Sequence, residues 1–198
     1  MDGVIGRDTP RLGQGLLWET EFRLFPELFA DAFDAFESGS IERYRAAQPA
    51  VIATAHLARA MLYEAMGDRQ QAANARYDSA RVNFERIIRS NPQSANVGAY
   101  HSNLGRAYAG LGRCEEAIRE GEEAVRMVPI LKDAWVGTAL VNNLAEIYTK
   151  CGRYDDAIGV IDTLLSMPSE ISPGVLRVDP IWDPIRGNPG FQRLAEGK

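Results

Sequence analysis

The sequence predicts an all-α fold, a solenoid of antiparallel helical hairpins closed by a helical cap at each end. Three observations predict it. A block recurs after 40 positions: Asn103-Leu104-Gly105-Arg106-Ala107-Tyr108, Gly112-Arg113 and Ala117-Ile118 return as Asn143-Leu144-Ala145-Glu146-Ile147-Tyr148, Gly152-Arg153 and Ala157-Ile158. Within each copy, apolar and small residues recur at spacings of 3 and 4, which places them on one face of a helix. Glycine and proline then punctuate the pattern where a hairpin needs a turn and an end. Stacked repeats of this kind build an extended surface, which lowers the expectation of an enclosed catalytic pocket.

Residues 1 to 13, with three glycines, a proline and few large apolar side chains, read as a flexible lead-in to a single helical domain spanning 14–198. The segment 14–49 is organised differently from the repeats. Trp18, Phe22, Phe25, Phe29, Phe33 and Phe36 recur at spacings of 4, 3, 4, 4 and 3, an aromatic stripe along one side of a helix that holds five of the seven phenylalanines. Pro26 either kinks this helix or opens a new one. The stripe is expected to bury itself against the helix from Val51 to Met66 as an N-terminal cap. The alternative is that part of it docks on another protein or on a second copy of the chain, because a large exposed apolar face marks an interface.

Residues 50–92 form an irregular hairpin, with Thr54, Leu57, Ala58 and Met61 on its first helix and Ala80, Phe84 and Ile87 on its second, ended by Asn91-Pro92. Its helices or its turn around Gly67 to Asn74 must be longer than in the two downstream copies. In the next unit, 98–131, helices are predicted over 98–111 and 113–128. Leu104, Tyr108 and Leu111 share a face of the first, and Ala117, Gly121, Ala124 and Val128 a face of the second. Gly112 suits the left-handed exit from a helix, and Pro129 stops the second helix because it cannot donate the next backbone bond. The unit 138–171 keeps this logic. The pattern His101-x2-Leu104-Gly105-x2-Tyr108, then Ala117-x3-Gly121-x2-Ala124 and Pro129, resembles the 34-residue tetratricopeptide repeat. The 40-residue offset exceeds that period, and the surplus falls at Ile130 to Gly137, where the connection or the next helix should be longer.

The segment 172–198 is expected to be a C-terminal cap. Ser172-Pro173 reads as an N-cap and first turn. It leads through Asp179-Pro180-Ile181-Trp182-Asp183-Pro184-Ile185-Arg186 to Pro189-Gly190-Phe191-Gln192. From Ala72 to Leu194 the chain is similar to the C-terminal tetratricopeptide regions of bacterial signalling proteins, in which they follow protein kinase, adenylate cyclase or DNA-binding regulator domains. That resemblance implies a scaffold or regulatory module, not the enzyme to which such modules are fused. Trp182 and Phe191 are read as the apolar plug that closes the last repeat face.

Composition fits a globular domain: hydrophobic residues make up 45%, charged residues 25%, and the net charge is -5. The acidic balance argues against nucleic acid, whose phosphates require clustered Lys and Arg. No stretch approaches the roughly 20 apolar residues that span a bilayer, and no signal peptide is evident, so a cytoplasmic location is the default expectation. Free thiols are the simpler reading of Cys114 and Cys151, each beside a helix-helix turn; a disulfide or metal role is the alternative. No kinase or hydrolase motif is present, and only His56 and His101 are available as histidine ligands, so no enzyme activity, cofactor or metal is expected. His101, at the repeat's usual tryptophan position, is read as a packing residue.

The resemblance places function on the inner face of the first helices, which in tetratricopeptide repeats receives an extended peptide or partner helix. Asparagine before the conserved Leu can there hydrogen-bond the ligand backbone. Asn103 and Asn143 occupy that position, and His56 takes it in the irregular unit. Sharing the groove with them should be Arg59, Ser102, Arg106, Ala109, Asn142, Glu146, Thr149 and Lys150. An amide offers both donor and acceptor, so such a ladder can satisfy a peptide backbone; the plainer alternative is that Asn is simply tolerated there. The expected partner is a protein or peptide, with homo-oligomerisation through the terminal caps, or a regulatory role in a larger signalling protein, as the other reading.

Overall fold

A computed structural model of the protein describes residues 49–67 and 70–197. The lead-in, the aromatic stripe from Trp18 to Phe36 and the N-terminal cap expected there lie outside the described residues. Among the described residues every regular element is helical: α1 (Pro49–Ala65), α2 (Gln70–Ser90), α3 (Val97–Gly110), α4 (Cys114–Met127), α5 (Ala134–Lys150), α6 (Tyr154–Leu165), α7 (Pro173–Val178), a 3-10 helix (Pro180–Ile185) and α8 (Pro189–Glu196). Three antiparallel hairpins, α1/α2, α3/α4 and α5/α6, stack in order. The first helices α1, α3 and α5 lie side by side, and each of α2 and α4 also packs on the first helix of the following hairpin.

Small residues set how closely the helices approach. Ala53 and Ala60 of α1 meet Ala73 and Ala80 of α2 in a core that also buries Leu57, Tyr77 and Phe84. Ala117 and Ala157, 40 positions apart, are both fully buried in the later hairpins. Gly105 is tighter still, since a Cβ there would lie 2.9 Å from the Ala117 carbonyl oxygen. The irregular first hairpin resolves in favour of long helices: α1 has 17 residues and α2 has 21. The turn glycines behave alike, with Gly67, Gly112 and Gly152 all at φ between 72 and 74°, a conformation that costs glycine nothing.

Half of the six-residue surplus in the 40-residue offset goes into the helix. α5 has 17 residues against 14 in α3, and its extra turn is pressed onto the preceding connection. A Cβ on Gly137 would lie 2.7 Å from Ile130 Cα and 2.9 Å from its nitrogen, backbone atoms that cannot swing aside. Gly137→Ala should therefore cost about 1–3 kcal/mol through overpacking, despite the better helix propensity of alanine. Gly159→Ala is the control, because nothing lies within 4 Å of its position, and it should stabilise by about 0.5–1 kcal/mol. Thermal melts of the pair that moved in the same direction would contradict this packing.

The C-terminal run owes its shape to three cap-proline pairs. Ser172 accepts from Val175 N at 3.3 Å, Asp179 from Ile181 N at 3.1 Å and Asn188 from Gly190 N at 2.7 Å, each just before a proline that opens the next short helix. The Arg186 guanidinium ties the first two together by donating to the carbonyls of Leu176 at 3.2 Å and Asp179 at 3.1 Å. Trp182 and Phe191 are each 1% exposed, with ring centroids 6.3 Å apart, in a core shared with Val141, Leu144, Ile161 and Leu164 of the third hairpin.

Free thiols, the simpler expectation from sequence, are corrected by the fold. Cys114 opens α4 and Cys151 caps α5, so stacking brings the two hairpin turns together with Cα atoms 5.4 Å apart, and the sulfurs are joined in a disulfide. Their separation of 37 residues is close to the repeat offset, which is why two turn positions in adjacent copies meet.

Candidate functional site

The inner helix face is built by α1, α3 and α5, and its expected residues differ in how far they are buried. Ser102, Arg106, Asn142, Glu146 and Thr149 are buried, as is Arg59 on α1. Asn103, Asn143, His56 and Lys150 are partly exposed. Arg106 donates to Glu146 Oε2 at 3.2 Å, an ion pair between the same position of successive repeats whose side chains are 8% and 3% exposed. A pair buried this far adds little net stability, but removing one partner strands a charge.

The two asparagines are not equivalent. Asn143 Nδ2 donates to Ser102 Oγ at 2.9 Å, a cross-repeat bond that spends the amide inside the fold. Asn103 makes no such bond, because the residue preceding His56 in the upstream unit is Ala55, which has no polar side chain to accept one. Asn142, 1% exposed, has neither its Oδ1 nor its Nδ2 hydrogen-bonded. It holds in α5 the position that Ser102 holds in α3, and the C-terminal cap supplies no counterpart of Asn143.

Lys150 is bound at the far end of the face. Its ammonium pairs with Glu64 of α1, and Tyr77 of α2 donates to the same Glu64 Oε2 at 2.6 Å. Lys150 also reaches the Tyr77 hydroxyl at 3.3 Å. This clamp ties the first hairpin to the third, passing over Gly110, where a Cβ would lie 2.4 Å from the Tyr77 ring. Glu64 and Tyr77 carry no signal in the sequence because neither lies at a recurring position. Arg59 donates to Tyr63 Oη at 2.7 Å, and His56 Nδ1 lies 3.2 Å from Arg76. His101, read as a packing residue, is instead a polar link across the second hairpin, with Nδ1 2.6 Å from Glu120 Oε2.

On the opposite side, the recurring tyrosines join successive hairpins. Tyr108 Oη donates to Glu85 of α2 at 2.7 Å and Tyr148 Oη to Glu122 of α4 at 2.9 Å. The arginine after each turn glycine covers the ring: Arg113 lies 4.5 Å from the Tyr108 centroid and Arg153 6.0 Å from that of Tyr148. The recurrence of Tyr, Gly and Arg thus encodes one device: an inter-repeat hydrogen bond, a left-handed turn and a cation over the ring. Burial, reinforced by the carboxylate partner, pushes both hydroxyls up to about 12. An unfolded tyrosine titrates near 10, so the folded form holds these protons more tightly. Their stabilisation is complete below pH about 10 and is lost as pH rises through about 12. Alkaline melts should show Tm falling across that window, and falling less in a Tyr108→Phe/Tyr148→Phe variant.

Among the described residues no group of three or more His, Cys, Asp or Glu side chains could hold a metal ion, and no helix is long and apolar enough to cross a membrane. A stack of antiparallel hairpins with a polar inner face defines a helical-repeat architecture. Residues 100–128 and 139–170 each match a family model described as tetratricopeptide repeat, so the fold is an all-α tetratricopeptide-like solenoid and these two hairpins are tetratricopeptide repeats. No curated protein and no solved structure matches the chain.

Proposed function

We propose that the chain is a non-enzymatic interaction module that binds an extended, largely uncharged protein segment along its inner face. The observation that carries this reading is Asn103, which is partly exposed and takes no part in the Ser102–Asn143 bond beside it. Two of the charges placed in the groove are neutralised within the fold, Arg106 by Glu146 and Lys150 by Glu64. What is left to a partner is amide chemistry, which recognises backbone better than side-chain charge. Within the resemblance to signalling proteins, such a module serves as the docking or regulatory segment of a larger protein. The Cys114–Cys151 bond favours an oxidising environment over the cytoplasm expected by default.

Peptide display on the full chain provides ligands with which to test the site. Asn103→Ala should weaken the selected peptides about tenfold, the loss of roughly one good hydrogen bond, and leave Tm unchanged. Asn143→Ala should instead cost about 1–3 kcal/mol of stability by orphaning the buried Ser102 hydroxyl. Peptides that bind Asn103→Ala as tightly as wild type, or that shift only resonances of the second helices, would reject the inner face as the site.

A further inference from the structure

Two apolar side chains stand in solvent at the irregular point of the stack. Leu131 is fully exposed, at 102%, and Trp135 is 73% exposed. A tryptophan left this open is unusual, since the residue is highly buried on average and enriched at interface hot spots. The backbone that carries Trp135 is held: Asp133 caps α5 by accepting from Trp135 N at 3.1 Å and Val136 N at 2.9 Å, and Gly137 seats the same turn on Ile130. An aromatic on an ordered backbone has only two side-chain torsions to lose on docking.

The complement to this knob lies at the other end of α5. A cleft of about 370 Å³ is lined by Met61 and Ala65 of α1, by Pro180, Ile181 and Pro184 of the 3-10 helix, and by the Glu64–Lys150 pair. That volume is near the small end of ligand pockets, which run from about 300 to 1,000 Å³, and suits one large side chain better than a whole helix. Proline, methionine and isoleucine offer flat and adaptable apolar surface to an indole. One polar position is open: Tyr77 and Lys150 both donate to Glu64 Oε2, which leaves Oε1 as an acceptor at the cleft edge. An indole N–H is a donor without acceptor capacity, so it matches this carboxylate oxygen.

We propose that the Leu131/Trp135 knob of one chain enters the Met61–Pro184 cleft of a second copy, with the Trp135 indole donating to Glu64 Oε1. Knob and cleft lie 15 residues apart on one helix, about 22 Å at 1.5 Å per residue. A single molecule therefore presents both halves of the contact, arranged head-to-tail with a free knob at one end of every pair and a free cleft at the other; a wild type that stops at a two-fold dimer, each knob in the other's cleft, overturns that arrangement.

Sedimentation of the full chain over a concentration series tests this. Wild type should associate reversibly to species beyond the dimer. Trp135→Ser removes the knob and Ala65→Arg fills the cleft; both positions are exposed, so helical circular dichroism should stay unchanged, and each variant should weaken association at least about tenfold, as hot-spot loss does. Leu131→Ser and Pro184→Arg provide second variants of each half. An equimolar mixture of Trp135→Ser and Ala65→Arg retains one intact knob and one intact cleft and should form dimers and nothing larger. A wild-type monomer at the highest attainable concentration overturns the proposal. So does assembly of Trp135→Ser at wild-type strength, or a mixture that stays monomeric.

Discussion

Replacing Trp182 with alanine is expected to destabilise the fold by about 3–5 kcal/mol, the range for removing a fully buried aromatic side chain. The indole is 1% exposed, packs on Phe191 and closes the apolar face of the third hairpin. Without it that face opens to water, since among the described residues no further hairpin covers it. Trp182→Phe should cost clearly less. Its smaller ring still fills most of the site, whereas alanine leaves a cavity; both substitutions remove the indole N–H, which is buried without a hydrogen-bond acceptor. Guanidinium unfolding of both variants measures the difference. Equal losses would mean that filling the site with a ring contributes nothing to the closure, and a neutral Trp182→Ala would sink the plug itself.

Loss of the Cys114–Cys151 bond should be nearly as costly. The bridge closes a loop with a sequence separation of 37 residues, for which chain entropy predicts a stabilisation of about 2–4 kcal/mol. It joins the turn of the second hairpin to that of the third. Its loss should therefore loosen the stacking of two repeats and leave each hairpin's own core of Ala117 and Gly121, or Ala157 and Ile161, in place. The denaturant midpoints of reduced wild type and of Cys114→Ser/Cys151→Ser should agree with each other and lie below that of the oxidised wild type. A midpoint indifferent to reductant, with thiol titration confirming reduction, would show the bond to be energetically idle.

The parts of this fold that can be read from sequence are those set by local rules. Leu104 and Tyr108, Gly112, Pro129 and the Ser172-Pro173 cap act through helix periodicity and backbone conformation within a few residues of themselves. The helices of the second hairpin lie within a residue or two of the predicted ones. The length of the first hairpin was open because a run such as Gln70 to Asn74 is compatible with either a turn or a helix start. The inner face was legible as a place but not as a set of contacts. Whether Asn143 meets Ser102, or Lys150 reaches Glu64 across two hairpins, depends on the twist between repeats, to which no single helix pattern is sensitive. The same holds for the two cysteines, whose pairing follows from stacking and not from spacing alone. Leu131 and Trp135 were invisible for the opposite reason: apolar residues near a helix start are assigned to a core by default, and only the packed structure leaves them outside.

The orphaned amide of Asn142 bears on how this stack could be lengthened. Ser102 shows what such a position accepts, an asparagine side chain from the succeeding first helix, and the capping segment from Ser169 to Ile171 leaves that bond unmade. Splicing a copy of residues 126–165 between Leu165 and Ser166 keeps the 40-residue offset and its connection, and would present a new asparagine at the register of Asn143 to satisfy the buried group. The protein would then gain a repeat and recover a hydrogen bond in one step, so Asn142 marks the seam at which an engineer should insert.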